Sequence, residues 1–237
     1  MQEEEKTARK RKYLEAMGVD VWVRRRIPET CAEEPAGQSG TGVAEIAAAA
    51  EPLSWDALST AVAGCTRCAL HQTRTQTVFG TGDRHSHWLV VGEAPGAEED
   101  KQGEPFVGRA GQLLNSMLGS IGLSRQQVYI ANVLKCRPPA NRDPQLDEVL
   151  NCEPHLLAQI ALLRPRIILA VGRIAAQNLL KVTTPIGKLR GQRHVFGPTG
   201  IPLVVTYHPA YLLRSPAEKR RAWQDLMLAR QVYQALA

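Results

Sequence analysis

Four of the five cysteines stand at spacings that can hold a metal centre. Cys65 and Cys68 form a C-x-x-C pair, Cys136 lies far downstream, and Cys152 follows it after 15 intervening residues. Four thiolates from three separated places suit either zinc in an all-thiolate site or an iron–sulfur cluster. A zinc ribbon would usually bring a second close pair. Here the second pair is widely spaced, which favours a cluster pinning several elements together. Cys31 stands in a stretch rich in small and polar residues and reads as a spectator. A second group of residues could bind or catalyse: Glu93 in GEAPG, Phe106 in GEPFVG, Asn132 in YIANV, and His208 directly before Pro209. A carboxylate, an aromatic ring, an amide and an imidazole make a candidate pocket if the fold gathers them.

The elements that must gather them follow from the apolar pattern. Residues 88–91 form a short unbroken apolar run, as in a strand buried on both faces of a parallel sheet. Gly92, Pro95 and Gly96 then force a tight turn, and Glu98, Glu99 and Asp100 follow at once. Residues 128–134, 166–171 and 203–207 read as three further strands. Ser54 before Trp55, Leu58 and Val62 reads as a capped helix ending at Gly64, next to Cys65. Leu113, Leu114, Met117, Leu118 and Ile121 have the spacing of a helix face. A helix spans Leu146 to Ile160, with Pro154 expected to perturb it. Another covers residues 174–180, and the last runs over residues 216–236 with Pro216 at N1. Strand and helix alternate, which predicts a parallel sheet with helices on both faces. Glu93, Asn132 and His208 then sit at the carboxyl ends of strands, where open α/β sheets bind ligands.

The 237 residues, 44% of them hydrophobic, suffice for one generous domain plus a tail. Residues 53–237 are expected to form that domain. Residues 1–52 read as a basic N-terminal arm, with Trp22 and Arg24–Arg26, followed by an Ala/Gly/Pro/Glu-rich linker. The arm could engage a protein partner or DNA phosphates. A net charge of +6 fits nucleic-acid binding without demanding it. No apolar run approaches the roughly 18 residues of a membrane span, so no membrane partner is expected. The N-terminus carries no signal-peptide pattern, and a cytoplasmic location is expected.

Three stretches carry a family resemblance: GEAPGAEEDKQGEPFVGRAGQLL, NVLKCRPPANRDP and HPAYLLR. Together with the spacing of Cys65, Cys68, Cys136 and Cys152, they resemble family 4 uracil-DNA glycosylases, the iron–sulfur branch of that superfamily. The resemblance implies a three-layer α/β/α sandwich around a four-stranded parallel sheet, and a 4Fe–4S cluster on the four cysteines. It implies a monomeric base-excision-repair hydrolase acting on uracil-containing DNA. Gly92, Glu93 and Ala94 would line the base pocket, Phe106 would stack on uracil, Asn132 would read its edge, and Glu99 would close its C5 side. Glu93 and His208 would be catalytic, and Leu212 or Leu213 would fill the vacated base stack. An Asn132 amide fixed by a further hydrogen bond would pair with uracil and reject cytosine. Some branches carry an aspartate where this chain has Ala94, which weakens Glu93 as a direct water activator. A non-catalytic DNA-binding or polymerase-associated protein of the same fold is the alternative. The branch that captures DNA covalently carries Lys-Arg-Arg-Ile-His after this point, and none follows Cys136.

Overall fold

Each apolar run becomes a strand. The computed structural model describes residues 54–236, so the expected arm and linker of residues 1–52 lie outside the described residues, with Cys31. The helix α1, Trp55–Ala63, is capped by Ser54, whose Oγ accepts from the Ala57 N–H at 3.2 Å. A two-residue strand β1, Thr81–Gly82, precedes β2, Trp88–Gly92. Then come α2, Ala97–Gln102; α3, Arg109–Gly119; and β3, Tyr129–Asn132. The long helix α4, Leu146–Leu163, leads to β4, Ile167–Val171, and α5, Arg173–Leu180. A short α6, Ile186–Leu189, is followed by β5, Arg193–Phe196, and β6, Ile201–Thr206. The chain closes with α7, Pro209–Arg214, and α8, Lys219–Gln234.

The sheet has six strands in the order β1-β3-β2-β4-β6-β5. Its four central strands are parallel, as expected. The two edges are antiparallel, which corrects the expectation of four strands. Both edges lack the continuous apolar run of a strand covered on two faces: β1 is two residues long, and Arg193 and Val195 of β5 are exposed. Two expected helices also differ. The helix α4 runs through Pro154 without a break. Pro154 is exposed, and Leu150, whose carbonyl loses its partner, is 56% exposed, so water can take that bond. Pro216 opens a separate 3₁₀ turn, Pro216–Glu218, and α8 begins only at Lys219.

Alternate residues of each central strand feed two cores. On one face, Leu156 and Ile160 of α4 and Ala175 and Leu179 of α5 share a core with Leu89, Val91, Ile168 and Val205. On the other, Leu114 and Leu118 of α3 and Leu226 and Ala229 of α8 share one with Val90, Ile130, Leu169 and Val204. From β2 the chain proceeds to β3 on one side, then crosses to β4 on the other. The strand order therefore reverses between β2 and β4, and the crevice beyond their carboxyl ends is where this topology binds ligands.

Candidate active site

Register builds the crevice. Gly92, the last residue of β2, pairs with Asn132, the last of β3. Val171 pairs with Thr206, which sets His208 just beyond the neighbouring strand ends. Glu93, Ala94, Glu99, Phe106, Asn132 and His208 all line one open cleft at this edge. Gly92 lies against its inner wall: a Cβ there would come within 2.4 Å of Asn132 Oδ1 and 2.6 Å of Phe106 Cζ. Only a residue without a side chain allows that approach.

Phe106 is buried and sits in the left-handed region, at φ 54°. A bulky residue holds that conformation only when its surroundings over-determine it. Two clamps do so. Glu99 Oε2 accepts from the Gly96 N–H at 3.1 Å, and its Oε1 accepts from Val107 N–H at 3.1 Å and Gly108 N–H at 3.4 Å. Arg125 donates to Pro105 O at 2.5 Å and Phe106 O at 3.3 Å while pairing with Glu104. Glu99 thus joins the GEAPG turn to the aromatic loop.

His208 caps α7, and its Nδ1 accepts from the Ala210 N–H at 3.2 Å. The proton of the neutral ring therefore resides on Nε2, which is left as a donor. Burial lowers its pKa to about 4; Arg214 lowers it too, and Glu99 opposes this. Near neutrality the ring carries no charge. It lies 5.6 Å from the Phe106 ring, centroid to centroid, tilted by 31°. Burial raises Glu93 to about 7, with Asp143 adding to the rise and Arg173 opposing it. Arg173 and Asp143 form an ion pair at 2.5 Å. Glu93, His208 and Arg214 also border a second groove that runs on past Tyr211.

Asn132 is 2% exposed, and its Oδ1 is buried with no partner. Thr206 Oγ1 is the other such atom among the described residues. A buried carbonyl oxygen left unpaired costs about 1–3 kcal/mol, so the amide is placed for a donor from elsewhere. The expected second hydrogen bond fixing this amide is not found among the described residues. The Phe106 ring and the Gly92 backbone crowd it instead. A second correction concerns the wedge. Leu212 is 1% exposed and belongs to the core shared with α3 and α8, whereas Leu213 is 36% exposed. On a helix, adjacent positions point about 100° apart, so only Leu213 is available. Asn141, Arg142 and Arg214 also line the cleft but were not singled out from sequence. The first two lie in the NVLKCRPPANRDP stretch and Arg214 ends HPAYLLR, so proximity to the motifs was the available signal.

The four cysteines come together away from this cleft. Cys65 and Cys68 follow α1, and Cys152 lies in α4. Cys136 lies on the loop beyond β3, which ends at Asn132. All four line one small cavity as free thiols. Arg74 donates to Cys136 Sγ at 3.0 Å and the Lys135 N–H to Cys152 Sγ at 3.2 Å; His155 Nε2 lies 3.4 Å from Cys65 Sγ. Arg67 and His71 complete a basic lining. As they stand, no three His, Cys, Asp or Glu among the described residues are drawn around a single ion. Four sulfur donors on one cavity, with N–H groups aimed at sulfur and cationic side chains around them, fit a thiolate-ligated metal centre.

Comparison with known proteins decides the family. The family model of the uracil DNA glycosylase superfamily matches residues 79–227. The chain belongs to the uracil DNA glycosylase superfamily. This superfamily member is 45% identical over 169 residues to a type-4 uracil-DNA glycosylase of Archaeoglobus fulgidus, covering 69% of this chain and 85% of that one. It is 42% identical over 173 residues to a type-4 uracil-DNA glycosylase of Pyrobaculum aerophilum (70% and 88%). A type-4 enzyme of Saccharolobus solfataricus is 41% identical over 189 residues (77% and 86%). The superfamily match runs from just before β1 into α8, so it contains every cleft residue named above.

Proposed function

We propose that this protein excises uracil from DNA by hydrolysing the N-glycosidic bond and leaving an abasic site. The observation that carries the reading is the buried, unpaired Asn132 Oδ1 beside the Phe106 ring and the neutral His208. A base inside a duplex is out of reach, so the nucleotide must be flipped, at about a few kcal/mol. Stacking on Phe106 returns roughly 1–3 kcal/mol, and Leu213 can occupy the gap in the duplex. Asn132 Oδ1 accepts from uracil N3–H while its Nδ2 donates to O4. Cytosine presents the opposite pattern there, and sites of this kind discriminate by about 10⁴ or more.

Breaking the bond leaves positive charge on the sugar and negative charge on uracil O2. The Nε2–H of His208 donates to that oxygen, so a neutral imidazole stabilises the departing anion as an oxyanion hole does. Ionised Glu93 lies on the side open to the second groove, where a carboxylate stabilises the sugar cation or orients water. Glu99 holds the aromatic loop against the pocket. Cys65, Cys68, Cys136 and Cys152 would hold a 4Fe–4S cluster, which supplies a covalent tie between the segment after α1, the loop after β3, and α4. Free uracil detected by mass spectrometry from a uracil-containing oligonucleotide tests the reading. His208→Ala is expected to slow release about 10²–10³-fold. No free base from folded wild-type protein would overturn the reading.

A further inference from the structure

The base-reading amide has no hydrogen bond of its own among the described residues, so its position depends on the backbone that carries it. Besides its pairing with β2, that backbone is held by Lys135. The lysine is 1% exposed, and its Nζ donates to Asn132 O at 2.8 Å and to Gln159 Oε1 at 2.6 Å. Its own N–H donates to Cys152 Sγ at 3.2 Å, and its carbonyl accepts from Val78 N–H at 2.8 Å. Gln159 is fully buried on α4 and anchors onward, donating to Phe79 O at 2.9 Å and Tyr129 Oη at 3.3 Å. No carboxylate lies within ion-pair distance of Lys135 among the described residues. A buried amine without a carboxylate partner is costly, and neither of its acceptors is a charge. Lys135 nevertheless spans from the helix that bears Cys152 to the carbonyl of the residue that faces the cleft.

We infer that Lys135 is a positioning residue for base recognition: its side chain fixes the end of β3, and so the Asn132 amide, against the scaffold formed by α4 and the thiol cavity. This rests on Asn132 reading uracil, the function proposed above. The nitrogen has enough N–H groups for both acceptors whether or not it is charged, so protonation is not the device. Lys135→Met keeps a long apolar stem of similar shape and removes both donated bonds. The end of β3 then loses its side-chain tie to Gln159 of α4 and keeps only the backbone bond from residue 135 to Cys152 Sγ, while the four cysteines, His208 and Glu93 are unchanged.

The test compares two oligonucleotides bound by the full chain. One carries 2′-fluoro-2′-deoxyuridine, which resists cleavage, and the other a tetrahydrofuran abasic analogue; the ratio of their affinities isolates the base contact. Lys135→Met is expected to cut that ratio about tenfold while leaving tetrahydrofuran affinity and iron content at wild-type values. In an Asn132→Ala background, the same substitution should change the ratio no further, because the two residues act through one contact. An unchanged ratio in Lys135→Met, or an equal loss in the Asn132→Ala background, would overturn the inference. A parallel fall in both affinities would likewise reduce Lys135 to a general structural role and overturn it. If Lys135→Met does not fold, Gln159→Leu removes the lysine's second anchor and should lower the ratio about threefold; an unchanged ratio there also overturns the inference. A wild-type protein that shows no preference for the uridine analogue would instead refute the proposed function itself.

Discussion

Gly92→Ala places one methyl group against both the Asn132 amide and the Phe106 ring. Its Cβ would lie 2.4 Å from Asn132 Oδ1, 2.6 Å from Phe106 Cζ and 2.7 Å from Phe106 Cε2. Carbon atoms rest at about 3.5–4.0 Å, so the ring and the amide must each retreat by about 1 Å. Neither can do so freely. Phe106 sits on a backbone at φ 54° held by Glu99 and Arg125, and Asn132 ends a strand paired to Gly92 itself. Overpacking of this kind costs about 1–3 kcal/mol of stability, which a domain of this size survives. Activity suffers more, because the displaced groups are those proposed to hold the base. A 1 Å misplacement of a recognition group can cost about 10²-fold in rate. Single-turnover uracil release, with thermal melting alongside, separates the two effects. The expected outcome is a folded protein with at least about a hundredfold slower release. Wild-type release by Gly92→Ala would show that the space beside Gly92 is not where the base binds.

Five further outcomes follow from the structure. Release should rise about tenfold from pH 6 to pH 8 as Glu93, raised to about 7 by burial, loses its proton; Glu93→Gln should abolish this dependence in a pH–rate series. The sign for stability is opposite: a raised carboxyl pKa favours the fold at low pH and that advantage is lost as pH rises to about 7, so Glu93→Gln should melt higher than wild type at pH 8. Asn132→Asp should release uracil far more slowly, since a carboxylate cannot donate to O4, and a full-rate variant would remove Asn132 from base recognition. Leu212→Ala should destabilise the fold by about 2–5 kcal/mol in denaturant melts, whereas Leu213→Ala should leave stability nearly unchanged and weaken release from duplex more than from single-stranded substrate. Purified protein should be brown with four iron per chain, and stripping the iron should lower its melting temperature; stoichiometric zinc without iron would contradict the cluster.

The central sheet was legible in the sequence for a physical reason. Strands covered on both faces must be apolar throughout, and β2, β3, β4 and β6 are fully or almost fully buried. The edges escape such reading because β1 needs only two residues, and β5 exposes Arg193 and Val195. Glu93 and His208 were legible because they follow apolar runs, and Asn132 because it is the one amide within such a run, whereas Phe106 and Glu99 lie on the loop after β2. What each one touches was not. Glu99 reads as a pocket wall in sequence, yet its carboxylate also binds the N–H groups on both sides of the aromatic loop. Leu212 and Leu213 are the same residue type in adjacent positions, and only the rotation of α7 against the core separates them. Lys135 and Gln159 stand 24 positions apart, and no local pattern signals their bond.

The most direct measurement is strand scission after alkali treatment of matched oligonucleotides carrying a single uracil, cytosine or thymine at one position. The folded, iron-loaded chain should produce a break at uracil, about 10⁴-fold or more faster than at cytosine, with none at thymine. No break at uracil, or comparable breaks at cytosine, would contradict the account.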